Sequence, residues 1–345
     1  SSTPSVSYAY SGNGELSKVE DKAANRERDY NYDALGRLTS MTERSGSSGV
    51  QVFRSEYDGS NRVTKYEYTV SPAWNGVFRD ARSYCYAYDD SDGSLASMTL
   101  PANGSYTYTY DALKRLNTRA LKLNNSAFIN RSYSYLPGSG TNATTMLVSG
   151  VTNSRANGSN ISSYTYGYDN VGNITSVSGS TVANYSYDNL GQLRTETYGG
   201  KTYTYSYDTA GNIVSVSDGT TTKNYVYGDS SWKDLLTSYN GGTINYDGIG
   251  NPTKWYNGTN FTWVNGRRLA SAVNSSTGLN NGYTYDANGM RTSRTNGSYT
   301  YRYVYNGGQL VQMKMGGHTL NFAYDAGGTP MTVTFDGTEY YYITN

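Results

Sequence analysis

Cysteine occurs once in the 345 residues, at Cys85, and histidine once, at His318. One cysteine excludes an internal disulfide and any cysteine-based zinc site. A nucleophilic triad would have only His318 as its base. Charged residues make up only 16%, and the net charge is +1 with no stripe of Lys and Arg. Nothing there would release counterions from a phosphate backbone, so no nucleic-acid partner is expected. Where Arg302 interleaves with Tyr299, Tyr301 and Tyr303, the pattern is an alternating strand with one solvated charge and not a base-stacking platform. No apolar run approaches the length of a membrane span. Proline is limited to 6 residues, and helix formers never make a sustained run or a 3.6-residue apolar period. Almost no helix is expected. Large extracellular folds do without disulfides, so the cysteine count leaves the compartment open.

What is abundant is tyrosine and glycine, 39 residues of each. Tyr and Thr suit a pleated, half-buried surface, and Gly serves corners. The dipeptide Tyr-Asp recurs at Tyr32, Tyr57, Tyr88, Tyr110, Tyr168, Tyr187, Tyr207, Tyr246, Tyr285 and Tyr324, with degenerate stations at Tyr135, Tyr227, Trp263 and Tyr305. From Tyr168 onward the stations are 17 to 22 residues apart. Before it they are wider, so residues 1–160 read as irregular repeats with insertions and 161–345 as regular ones. The expectation is a single array over 1–345 that is a piece of a longer protein.

The repeat motif is carried by Tyr32, Asp33 and Gly36; Tyr168, Asp169 and Gly172; Tyr187, Asp188 and Gly191; Tyr207, Asp208 and Gly211; and Tyr285, Asp286 and Gly289. Asp followed three residues later by Gly is the signature of a type I turn, in which the carboxylate accepts a backbone N–H and Gly takes the left-handed conformation. Asn61 fits the Gly slot tolerably. Lys114 in that slot predicts strain or a different turn. The far end of each unit carries Asp218-Gly219, Gly199-Gly200, Asn296-Gly297, Gly316-Gly317 or Asp336-Gly337, pairs that suit two-residue primed turns. If Asp169 faces Asn173, then Tyr168 faces Ile174 and Tyr166 faces Ser176, which puts Val177 on the face away from the tyrosines. Pro252 and Pro330, just after turns, predict strands that begin there at an unpaired position. An antiparallel meander of roughly two dozen strands at ~4.8 Å is too wide to stay open, so it wraps or winds, and one closed turn of it would be hollow.

With the motif Tyr-x-Tyr-Asp-x-x-Gly-Asn/Arg-Leu/Ile covering residues 28 to 345, the chain resembles the YD-repeat, or RHS-repeat, proteins of bacteria and their relatives the teneurins. The resemblance implies an all-β fold in which hairpin repeats wind into a spiral, hollow shell, secreted or at the cell surface. It further implies a shell that encloses a C-terminal toxic polypeptide in the bacterial members and forms part of an adhesion ectodomain in teneurins. The expected partner is accordingly a passenger polypeptide or the remainder of the same chain. The aspartyl self-cleavage motif of such proteins has no counterpart, since the sequence contains no Asp-Pro dipeptide.

Side chains with chemical potential point the same way. His318 falls in a predicted hairpin turn, and Cys85 reads as a small packed residue. Carboxylates recurring at every repeat have a duty in turns and cannot mark one glycosidase-type site. Gly138-Ser139-Gly140 is a loop and not a phosphate cradle. The Asn-x-Ser/Thr sequons at Asn173, Asn257 and Asn296 are a by-product of composition. No enzyme activity, cofactor or metal is expected. The alternative is an adhesion module that binds a cell-surface glycan, wall polysaccharide or protein through exposed aromatic ladders. It has only Trp74, Trp232, Trp255 and Trp263 to work with, and wall-binding repeats lean on Trp.

Overall fold

Strands follow from the alternation of Tyr with Thr or Ser, and turns from Asp, Asn and Gly, all the way along the chain. The computed structural model describes residues 5–45, 50–71, 82–140 and 143–343. Among them are 32 strands, from Val6–Tyr10 to Thr338–Tyr341, and no helix, so none is long and apolar enough to cross a membrane. Strands Val6–Tyr10 to Gly242–Thr243 belong to one sheet and Asn245–Tyr246 to Thr338–Tyr341 to another. Every pairing described is antiparallel and joins neighbours in sequence, as in Leu16–Asp21 with Arg26–Tyr32 and then Leu38–Ser45. This is the all-β hairpin meander that the composition implies, with more strands than the two dozen expected. Trp74 lies outside the described residues.

Two compact units emerge. The first comprises Ser1–Ile129, Tyr285–Thr292 and Arg302–Tyr342, and the second Asn130–Thr284, Ser293–Tyr301 and Ile343–Asn345.

The first unit has a filled core. Phe53, Tyr68, Tyr84, Met98, Tyr106 and Tyr108 on early strands pack with Val304, Val311, Ala323 and Met331 on late ones. Offset rings step across the sheet, with Phe53–Tyr68 centroids 6.1 Å apart and Tyr68–Tyr84 6.4 Å, a spacing at which aromatic pairs attract. Hydroxyls bridge the layers: Tyr68 donates to the Val311 carbonyl at 3.1 Å, and Tyr86 to that of Tyr324 at 3.2 Å. Here the tyrosine face is covered by the chain's own late strands.

In the second unit the tyrosine face is only half-buried. Tyr166, Tyr168, Tyr185, Tyr187, Tyr205 and Tyr207 keep partial exposure along its regular hairpins. The reverse face is lined with hydroxyls that pair across strands, Ser186 with Thr195 and Thr262 with Ser271, both at 2.6 Å.

Several local expectations are corrected. Tyr168 does face Ile174, but Tyr166 faces Val177 and Gly167 faces Ser176, because Thr175 bulges out of register. One extra residue flips everything beyond it, which brings Val177 to the tyrosine face. A Cβ on Gly167 would stand 2.4 Å from the Ser176 hydroxyl, so a side chain there would make that hydroxyl rotate away. Asp218-Gly219 is not a two-residue turn: Ser217 pairs with Thr222, leaving a four-residue loop in which the Asp218 carboxylate accepts the N–H of Thr220 and Thr221. The turn expected at Asn296-Gly297 sits one residue on, since Asn296 still belongs to its strand and Gly297 leads with φ +54°. Cys85 is exposed and not packed, because it alternates with Tyr84 and Tyr86 and so faces outward. Pro252 and Pro330 do open their strands, yet each has a register partner, Tyr246 and Tyr324.

Candidate functional site

The unit of construction is the station itself, and two sets of contacts define it. The first is the turn. Asp33 Oδ1 accepts the N–H groups of Leu35 at 2.9 Å and Arg37 at 3.0 Å, and the Arg37 guanidinium closes on Oδ2 at 2.7 Å. Asp169 and Asp208 do the same with Asn173 and Asn212 in place of arginine. Asp188 takes the N–H of Leu190 and Gln192, and Asp286 that of Met290. The Gly slot has positive φ at Gly36 (75°), Gly172 (93°), Gly191 (76°), Gly211 (89°) and Gly289 (84°). Lys114 adopts the same turn at φ +61°, its N–H on the Asp111 carbonyl at 3.0 Å, so at this station strain is tolerated and the turn is not changed. Donation from the backbone N–H of Arg37 to Asp33, and from the Asn173 amide to Asp169, holds both carboxyls below the ordinary carboxylate range. These aspartates are spent on turn geometry.

The second set joins one repeat to the next. At these stations the strand resumes after the turn with an apolar residue opposite Tyr and then bulges: Tyr32 faces Leu38 while Asn31 faces Ser40, Tyr187 faces Leu193 while Ser186 faces Thr195, and Tyr207 faces Ile213 while Ser206 faces Ser215. A bulge breaks the ladder and needs another donor for its freed backbone groups. The tyrosine of the following station supplies it. Tyr57 donates its hydroxyl to the Leu38 carbonyl at 2.8 Å, Tyr187 to Ile174 at 2.9 Å, Tyr207 to Leu193 at 2.8 Å and Tyr227 to Ile213 at 3.0 Å. Tyr32, Tyr168 and Tyr324 reach Leu16, Val148 and Leu310 in the same way. At the degenerate station Trp263 the indole N–H takes the role, 2.7 Å from the Pro252 carbonyl. Tyr and Trp are the large aromatic side chains with a donor at the tip, which is why Trp substitutes there. In the first unit Arg37 also lies over the Tyr57 ring at 4.8 Å and donates to the Asp58 carbonyl at 2.8 Å.

Residues 1–133 match the family model described as Teneurin YD-shell, and residues 187–223 match the one described as RHS Repeat. These two stretches are thus similar to YD-shell and RHS repeats. Among solved structures, a crystal structure of TcdB2–TccC3–Cdc42 is similar with a TM-score of 0.50 and 16% identity, over 96% of this chain and 22% of that one. A Tc holotoxin pore of Photorhabdus luminescens is similar over 99% of this chain and 22% of that one, with 15% identity and a TM-score of 0.48. The first likeness is one of fold, and the chain spans 22% of the length of the solved chains it matches. No curated protein matches.

Other residues of the YD repeats fall outside the motif. Arg28 bonds Glu43 at 2.5 Å and Asp286 at 2.6 Å, with both carboxylates buried. Burial alone would lower its pKa, but the two carboxylates outweigh that and raise it. A turn aspartate that gains a distant arginine leaves no mark in a repeat pattern. The hydroxyls of Tyr66 and Tyr108 are buried without a hydrogen-bond partner, and burial pushes both phenols well up. His318 opens the strand His318–Tyr324 at the surface, 2.5 Å from Asp336 and stacked on Phe335. The described residues hold no cluster of metal-ligating side chains.

Proposed function

We propose that this array is part of a non-catalytic structural shell that encloses or presents a passenger polypeptide of the same parent chain, in a secreted or surface protein. The observation that carries this reading is the division of labour between the two tyrosines of each Tyr-x-Tyr-Asp. The second is tied by its hydroxyl to the frame, as Tyr187 is to Ile174. The first, such as Tyr166 or Tyr185, stands beside it on the same half-buried face. A face of Tyr, Ser and Thr offers apolar area with polar tips, which suits transient contact with an unfolded chain better than Leu or Phe would. The turn carboxylates are committed to backbone N–H groups, which supports a role without catalysis. The adhesive reading draws less support, since Trp263 uses its indole N–H inside the frame.

Protease protection tests the proposal. Expressed with the polypeptide encoded next to it in the parent gene, the shell should slow digestion of that polypeptide at least ten-fold relative to the polypeptide alone. Equal digestion rates would sink the container reading.

A further inference from the structure

Within the second unit successive turns alternate edges and the Asp-x-x-Gly turns are every second one, so they share an edge. In the second unit that edge carries apolar tips. Val171 and Leu190 are each 83% exposed, Ile249 is 50% exposed, and Trp232 is 46% exposed with its ring against Gly250. The position before the turn Gly ordinarily takes Asp, Asn, Ser or Gly, and β-branched Val and Ile are poor choices for it. Local folding gives no reason for a row of them.

The two edges of this unit also differ in charge. Asp169, Asp188, Asp208, Asp229, Asp234 and Asp247 lie on the turn edge and outnumber Arg194, Lys233, Arg267 and Arg268 near it. The opposite edge presents Arg155, Lys201, Lys223 and Lys254, all exposed, against Asp218 alone, and beside them the exposed apolar Tyr198 and Val182.

The first unit already shows such edges meeting. Its turn Asp286-Ala287 sits against Val19, Asp21, Arg26 and Arg28, at the start of a strand that leaves the opposite edge. There Ala287 is half-buried and Asp286 takes the Arg28 guanidinium at 2.6 Å. From these observations we propose that the turn edge of the second unit docks onto the basic opposite edge of the same unit in a second copy of this chain, head to tail. The apolar tips fill the interface and the turn carboxylates face Arg155, Lys201 and Lys223. Such a contact is heterologous and every assembly keeps one free edge of each kind, so association continues with concentration.

The test is sedimentation of the whole chain and two edge variants at low salt. The parent should grow in mass from micromolar to sub-millimolar concentration, and salt should weaken that growth. Val171→Asp with Leu190→Asp spoils the turn edge, and Lys201→Glu with Lys223→Glu spoils the basic edge. Each variant alone should be monomeric, with a thermal midpoint near the parent's because all four side chains are exposed. Mixed together they should form a heterodimer, since one good edge of each kind survives. A parent that stays monomeric throughout, variants that associate as the parent does, or a mixture that stays monomeric would each overturn the proposal. A contact between two turn edges predicts no rescue on mixing and is thereby distinguished.

Discussion

Replacing Tyr187 by Phe removes one oxygen and leaves the ring, the strand and the turn in place. That oxygen donates at 2.9 Å to the Ile174 carbonyl, which the bulge at Thr175 has taken out of the ladder. A hydrogen bond of this kind contributes about 0.5–1.5 kcal/mol net. Because Ile174 is only half-buried, water can replace part of the loss, and the expected cost is about 1 kcal/mol. Tyr168 and Tyr207 make the same bond, at 2.6 Å and 2.8 Å, so the triple Phe variant should lose roughly 3 kcal/mol if the stations act independently. That is a large share of the 5–15 kcal/mol typical of a domain. Two controls isolate the hydroxyl. Tyr185 makes no hydrogen bond through its hydroxyl among the described residues, so Tyr185→Phe should stay within about 0.5 kcal/mol of the parent. The Tyr108 hydroxyl is buried and unpaired, so Tyr108→Phe should be neutral or stabilising by up to ~1 kcal/mol. Urea midpoints followed by circular dichroism, with unchanged slope, provide the measurement. If Tyr187→Phe and Tyr185→Phe unfolded at the same midpoint, the phenol-to-carbonyl stitch would contribute nothing and the account of how repeats are joined would be wrong.

Gly191→Val and Gly211→Val should each cost about 1 kcal/mol or more, whereas Lys114→Gly should be neutral or stabilising; denaturant midpoints matching the parent in both Val variants would refute the turn assignment. The N–H of Thr221, then that of Thr220, holds Asp218 at about 2, below its ordinary 3.8. A carboxyl depressed on folding adds stability above its unfolded value and loses it as pH falls, so the urea midpoint should drop between about pH 4 and 2, and Asp218→Asn should flatten that drop. Burial first, then donation to Glu196, raises Tyr205 to about 12; stability from such phenols is intact below pH 10 and should be lost as pH climbs from 10 towards 12, with tyrosinate absorbance rising as the fold melts. Cys85, exposed on its strand, should react with a thiol reagent in the native protein as fast as in urea, and strong protection would contradict its outward placement.

How far the residues announce this structure depends on whether the information is local. Asp33 and Gly36, or Asp208 and Gly211, declare their turn because a short carboxylate and a left-handed residue are needed within four positions. The bulge carries no such marker: Thr39, Asn117, Thr175, Arg194 and Val214 all occupy it. For that reason Tyr166 is assigned the wrong partner when the register is carried straight on from Tyr168. The stitch is equally silent, since Tyr187 addresses a carbonyl and any residue could supply one. The core of the first unit is harder still, because Tyr68 gains its partner Val311 from 243 residues away, and no periodicity encodes which stretch will cover which. The hollow interior is the natural inference from strip width alone. Which part of its wall late strands cover, as Val311, Ala323 and Met331 cover the tyrosines of the first unit, is not written in that width.

That distance sets a schedule for biosynthesis. Each hairpin closes on neighbours already made, so both long meanders can form as they leave the ribosome. Tyr68, Tyr84 and Tyr106, by contrast, must wait for Val311 and Met331. At ~5–20 residues per second, a separation of 243 residues is a delay on the order of 10–50 s. Through that interval a sheet face rich in aromatic side chains stands uncovered on the nascent chain, while the hairpins between Asn130 and Thr284 are made. The early strands are thus the stretch on which a chaperone has time to act, and truncation anywhere before the last hairpins leaves the first unit without its second layer.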